Sequence, residues 1–204
     1  MAKLLVYFAH PGQRYSTVNR QMWKAAKALE GITCVDLYAE YPRFDINIDQ
    51  EQERLRAHDV IVFQFPLFWY STPSILKEWQ DLVLEFGFAY GDGGDALAGK
   101  KMMLAVTAGG PEEAYDEGGY NHFRLRTLLT PLEQTARLCK MEFLAPYVLF
   151  ASLKAKRQER VAPHVEGYRQ LLEALRDDRF DDAAAVNSDT LSAETLPLRV
   201  TAHG

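Results

Sequence analysis

The sequence predicts an α/β domain: a doubly wound parallel sheet of five strands with helices on both faces. Three observations predict it. Strand-like and helix-like segments alternate five times, the order that parallel crossover connections require. The strand candidates are unbroken apolar runs and not alternating ones, which marks strands covered on both faces. The 204 residues, 48% apolar and 25% charged, suffice for one such core and exclude disordered or disulfide-stapled chains.

Leu4 to Ala9 is the first apolar run, ended by the turn signal His10-Pro11-Gly12. Ser16 or Thr17 offers a cap for a helix through Glu30, with Val18, Met22, Ala25, Ala26 and Leu29 at helical spacing and Gly31 as its stop. Thr33 to Tyr38 reads as the second strand, followed by a loop containing Pro42 and a short polar helix near Asp49 to Arg56. Val60 to Phe65 is the third strand, ended by Pro66. Ser71-Thr72-Pro73 opens a helix with Ile75, Leu76, Trp79, Leu82, Val83 and Phe86 on one stripe. Gly91, Gly93, Gly94 and Gly99 punctuate a loop before the strand Met102 to Thr107, which Gly109-Gly110-Pro111 breaks. After a long loop, a helix from about Phe123 to Leu138, a strand from Phe143 to Phe150 and a helix from Pro163 to Leu175 complete the pattern. Beyond Asp177 the chain turns acidic, alanine-rich and aperiodic. The expected division is therefore a domain over 1–176 and a loose, irregular tail over 177–204.

Composition narrows the function. Lys and Arg total 23 against 28 Asp and Glu, a net charge of −5 with no basic block, so nucleic acid is not an expected partner. Cys34 and Cys139 lie far apart without a Cys-x-x-Cys, and the five histidines show no paired spacing, so no metal site is expected. The first apolar run is too short for a secretion signal, and no 18-residue apolar stretch occurs. The expected location is the cytoplasm, with docking on a membrane partner left open.

In sheets of this type ligands bind outside the carboxyl ends of the strands. Three loops lie there: His10–Asn19, Pro66–Pro73 and Thr107–His122. The first leads into a helix start with Ser16, Thr17 and Asn19, where free amides and hydroxyls suit an anion; Ser16 could equally serve only as a cap. Lacking both Gly-x-Gly-x-x-Gly and a phosphate lysine, this loop favours a monophosphate. Gly94 to Lys100 has the spacing of a triphosphate loop, but Lys101 stands where Ser or Thr is needed and the strand follows it, so it reads as a turn. The second loop carries Phe68-Trp69-Tyr70, three consecutive aromatics that can wall a flat heteroaromatic ring or plug against a neighbouring element. In the third, Gly109 and Gly110 admit close backbone approach. Tyr115, Tyr120 and His122 then offer phenols and an imidazole for oxyanion binding or proton relay; for His122 taken alone, a helix-start or surface histidine is the favoured reading.

These residues together resemble the NAD(P)H:quinone oxidoreductase family of flavodoxin-like flavoproteins. The resemblance rests on Ala9-His10-Pro11 with Ser16-Thr-Val-Asn19, Pro66-Leu-Phe-Trp-Tyr70, Pro73 to Trp79, Phe88-Ala-Tyr-Gly91 and Thr107-Ala-Gly-Gly110, over roughly residues 3 to 150. Within it, Asp36-Leu-Tyr38, Tyr41-Pro42, Gln50-Glu51-Gln52 and Gly91 to Lys100 resemble the ancillary subunits of glutathione-gated potassium-efflux (Kef) systems. The resemblance implies strand order 2-1-3-4-5 and an FMN cofactor. It places His10, Ser16, Thr17, Val18 and Asn19 at the phosphate and ribityl chain, Leu67, Phe68, Trp69 and Tyr70 along the isoalloxazine ring, and Thr107, Ala108, Gly109 and Gly110 at a third contact. Tyr115 falls at the family's active-site tyrosine; the family's histidine falls on Asn121, with His122 one place away. The implied activity is ping-pong reduction of quinones or similar electrophiles by NADH or NADPH, in a homodimer, with a potassium-efflux antiporter as partner on the cytoplasmic face of the membrane. A regulatory binding subunit in which turnover is incidental is the alternative reading.

Overall fold

The computed structural model describes residues 1–12, 14, 16–185 and 188–199. Its elements follow the anticipated alternation: β1 (Leu4–Phe8), α1 (Val18–Lys27), β2 (Ile32–Asp36), α2 (Leu37–Glu40), α3 (Ile48–Ala57), β3 (Val60–Pro66), α4 (Ser74–Val83) and β4 (Lys101–Thr107). A 3₁₀ turn at Glu112–Tyr115 then precedes α5 (Leu125–Leu128), α6 (Thr130–Leu138), β5 (Glu142–Phe143), β6 (Tyr147–Leu149), α7 (Val161–Arg176) and α8 (Asp182–Ala185). The strands form one parallel sheet in the order β2-β1-β3-β4-β5, with β6 also paired to β4. Strand order 2-1-3-4-5 is the one the sequence led us to expect.

Period-2 alternation within the buried strands divides the core between two faces. Leu5, Tyr7, Ile61 and Phe63 pack with Leu55, Leu76, Trp79 and Leu132 from α3, α4 and α6. Leu4, Val6, Val60 and Val62 pack with Met22 and Ala26 of α1 and Tyr168, Leu171 and Leu172 of α7. One carboxylate lies inside the first layer. Glu51 is fully buried, accepts from the hydroxyls of Tyr7 and Tyr41 and from Trp79 Nε1 (3.0 Å), and pairs with Arg54. With that many donors around it, this acid is a satisfied structural tie and not a free reagent.

Several boundaries differ from expectation for local reasons. The second strand stops at Asp36 because that carboxylate caps α2, accepting from Ala39 N at 3.3 Å. The helix expected over Phe123–Leu138 is two, divided at Leu129 ahead of Pro131, whose ring has no N–H to continue the first. The strand expected over Phe143–Phe150 is interrupted between Phe143 and Tyr147, around Pro146. Phe86 lies beyond the end of α4 and is exposed instead of joining the apolar stripe.

The expectation of a loose tail is corrected for the described residues after Asp177. Phe180, Ala185 and Leu191 are buried within the α1/α7 layer. Leu191 N–H donates to Pro146 O at 2.8 Å and its carbonyl accepts from Val148 N at 2.9 Å, so the segment covers the β6 edge. Three widely spaced apolar anchors show no helical or strand period, which is why the pattern reads as a loose tail. Residues 200–204 lie outside the described residues. No helix among the described residues is long and apolar enough to cross a membrane.

Candidate functional site

The carboxyl ends of β1, β3, β4 and β6 are laced into one rim by backbone hydrogen bonds. Ala9 N donates to Gln64 O (3.0 Å), Leu67 N to Thr107 O (2.9 Å) and Ala108 N to Leu149 O (2.9 Å). The loop after β6 is tied back to the third loop by Ala151 N to Gly110 O (2.7 Å) and Ser152 N to Ala108 O (2.9 Å). Over this rim opens a cavity of about 610 Å³. It is lined by His10, Ser16, Thr17, Val18, Asn19, Leu67, Phe68, Thr107 and Gly109 of the expected residues, together with Pro11, Gly12, Pro66, Ser152, Leu153 and Lys156.

At the α1 end, Ser16 Oγ accepts from Asn19 N at 3.1 Å, while the earlier amides of the turn have no intrahelical acceptor. Asn19 is buried, and its Nδ2 donates to Thr107 Oγ1 at 2.7 Å. Gln64 Nε2 donates to Asn19 O at 2.8 Å. This polar bridge fixes α1 against β3 and β4, so the first and third loops hold a set distance across the cavity. Gln64 itself is a polar residue inside an apolar run, a signal that sequence inspection passed over. Burial holds the His10 imidazole below the usual histidine range, against the raising effect of its hydrogen bonds to backbone. It is therefore neutral at pH 7, with Nδ1 2.9 Å from Pro11 O and its ring edge-on to Phe68 at 5.9 Å.

The aromatic loop is a two-residue turn. Phe68 N donates to Ser71 O (3.1 Å) and Ser71 N to Phe68 O (3.0 Å). Trp69 and Tyr70 occupy the corner at φ 47° and 62°, a left-handed conformation that costs free energy for any residue with a Cβ. The cost is not offset by burial, because Trp69 is 92% exposed. Trp69 and Tyr70, which follow the lining residue Phe68, are not themselves in the lining; nor are Ala108, which is buried, and Gly110.

Gly110 has a different reason from the one expected. A Cβ there would meet Tyr120 Oη at 2.8 Å and the Tyr115 ring at 3.1 Å, so the glycine makes room for two tyrosines. At Gly109 a Cβ would meet only Leu153 at 4.0 Å, leaving the open space that a ligand needs. Tyr115 lies against Phe150 with ring centroids 5.5 Å apart. Burial pushes its phenol above the usual tyrosine range, opposed by a hydrogen bond with the Gly110 backbone; the phenol is protonated at neutral pH. Tyr70 Oη donates to Asn121 Oδ1 at 3.1 Å. His122 is exposed at φ 60°, its N–H bonded to Gly119 O, and it does not line the cavity. The Gly94–Lys100 segment is a turn: a Cβ on Gly94 would strike the Tyr90 backbone, and Lys100 Nζ donates to His58 O at 2.5 Å.

A family model described as flavodoxin-like fold matches residues 2–172. The chain belongs to that family. It is 46% identical over 171 residues to the glutathione-regulated potassium-efflux system ancillary protein KefG of Cronobacter sakazakii, covering 84% of this chain and 92% of that one. Among solved structures, general stress protein 14 of Treponema denticola in complex with FMN is 35% identical, with a TM-score of 0.79 over 85% of this chain and 99% of that one. An NADPH-quinone reductase from P. pentosaceus is 29% identical, with a TM-score of 0.70 over 82% and 96% of the two chains.

Proposed function

We propose that this protein is an FMN-dependent NAD(P)H:quinone oxidoreductase that serves as an ancillary subunit of a potassium-efflux antiporter. One observation carries the reading: the three expected loops meet at a single cavity, with a capped helix start at one side, an aromatic turn at the other and, among the described residues, no carboxylate in its lining. The lining fits the cofactor. The first turn of α1, with Ser16 and Thr17, receives a phosphate on free amides. Leu67 and Phe68 line the place of a flat ring, Trp69 and Tyr70 flank it, and the open space at Gly109 lets backbone approach its edge. FMN, when bound, supplies hydride transfer between nicotinamide and acceptor. The protein's part is to bind, orient and exclude water, while Tyr115, outside the cavity lining, keeps its phenol proton at Oη as the donor for a developing oxyanion. Nicotinamide and quinone use the same face in turn, so steady-state kinetics are ping-pong. The exposed Trp69, Tyr70, Tyr120 and Phe123 are the surface that a second copy would cover in a homodimer.

Anaerobic titration with FMN, then NADH and NADPH, tests this reading. A colourless protein that binds no FMN ends it. The similarity to KefG proteins across most of the chain supports a second reading, regulation of the antiporter with turnover incidental. Trp69→Ala and Tyr115→Phe separate the two: quinone reduction lost with antiporter activation retained makes regulation the physiological role.

A further inference from the structure

The loop between β6 and α7 contributes Ser152, Leu153 and Lys156 to the cavity wall, although none of the three expected loops includes it. Its position is not accidental. Its start is bonded to Gly110 and Ala108 as described, and its end is held by Arg160, whose Nη1 donates to Phe150 O at 3.0 Å and Nη2 to Ala151 O at 3.3 Å. Between these anchors Leu153 is 89% exposed while lining the cavity and approaching Gly109, the state of an apolar side chain that a ligand would cover.

Charge in the lining is one-sided. The chain carries 28 Asp and Glu, yet among the described residues none of them lines the cavity, and Lys156 is the only Lys or Arg that does. The Lys156 ammonium makes no hydrogen bond or ion pair to another side chain or backbone group among the described residues, and the same cavity holds Gly12, Ser16 and Thr17 at the α1 start. A phosphate monoester seated on helix amides still carries close to two charges at pH 7, more than a half-charge helix end neutralises.

Resting on the flavin reading, we infer that the β6–α7 loop is a fourth ligand-binding segment in which Lys156 supplies the countercharge to the terminal phosphate, selecting FMN over unphosphorylated riboflavin. Leu153 closes over the same ligand, so the loop adds both affinity and discrimination from outside the α1 turn.

The test compares wild type, Lys156→Gln, Lys156→Arg and Lys154→Gln in titrations with FMN and with riboflavin, followed by flavin fluorescence at low and high salt. A charge-assisted hydrogen bond is worth about tenfold or more in affinity. Lys156→Gln is expected to weaken FMN by about that factor, leave riboflavin unchanged and flatten the salt dependence; Lys156→Arg retains FMN, and Lys154→Gln behaves as wild type. Equal weakening of both flavins, an unchanged FMN affinity in Lys156→Gln, or an equal loss in Lys154→Gln each overturns the assignment. Wild type that binds neither flavin sinks the flavin reading and this inference with it. Wild type that binds FMN no more tightly than Lys156→Gln sinks this inference alone.

Discussion

Replacing Trp69 by Gly and, separately, by Ala isolates the strain in the aromatic turn. Trp69 sits at φ 47° and is 92% exposed, so both variants lose almost no folded-state packing and differ only in a Cβ. The left-handed conformation costs a residue with a Cβ about 1–2 kcal/mol. Glycine escapes that cost but gives back roughly 0.5–1 kcal/mol through its freer unfolded chain. The Gly variant is therefore expected to be about 0.5–1 kcal/mol more stable than the Ala variant. Urea unfolding without ligand measures this, provided the two transitions share one slope. Both variants lose the indole, so both should bind FMN about three- to tenfold more weakly than wild type, the worth of one aromatic stack. An Ala variant as stable as the Gly variant would show that the turn relaxes and stores no strain. A variant with wild-type FMN affinity would show that the indole does not flank the bound ring.

Three further outcomes follow from the packing. Glu51→Gln puts an amide NH₂ among the donors of Tyr7, Tyr41, Trp79 and Arg54 and should cost about 3 kcal/mol in urea unfolding, the usual loss for a broken buried pair; a loss under about 1 kcal/mol contradicts that account. Burial lowers the His164 pKa from 6.5 to about 3, so its contribution is fully present above pH 6.5 and is lost as pH falls from there toward 3. Acidifying from pH 7 to 4.5 should remove on the order of 2–3 kcal/mol through this site, a loss absent in His164→Phe, which preserves the stack on Tyr147; parallel pH profiles for the two proteins rule it out. Asn19→Ala leaves Thr107 Oγ1 without its buried donor and should cost about 1–3 kcal/mol, read as a lower urea midpoint; an unchanged midpoint means the bridge does not hold α1 in place.

The sheet was legible because its signals are local. Each strand is an apolar run bounded by Gly, Pro or a polar turn, and the alternation with helices dictates parallel order. The misplacements have local chemistry too: Asp36 caps a helix where a strand was expected to continue, and Pro131 and Pro146 interrupt elements that hydrophobic pattern alone would carry through. What remained hidden depends on distant partners. Glu51 meets Tyr7 across 44 positions, Asn19 meets Thr107 across 88, and Leu191 finds Pro146 only once β6 exists. No window of sequence reports such pairings.

The same contrast explains the site. Ser16, the aromatic turn and Gly109 break local rules in ways a sequence exposes: a cap residue with spare amides, three adjacent aromatics, a glycine at a strand end. Lys156 breaks none. A lysine in an exposed loop is ordinary, and it matters only because Ala151 and Ser152 are bonded to the third loop, carrying the loop to the cavity. The rule that ligands lie outside strand carboxyl ends applied to β6 as fully as to β1, β3 and β4, and would have named this loop. Trp69 and Tyr70, in left-handed backbone, and the exposed Leu153 lie at that rim, while β1, β3 and β4 beneath it are almost wholly buried. Such a division is what a rigid scaffold holding a binding edge requires: the core supplies the stability, and the rim gives up part of it to stay open for a ligand.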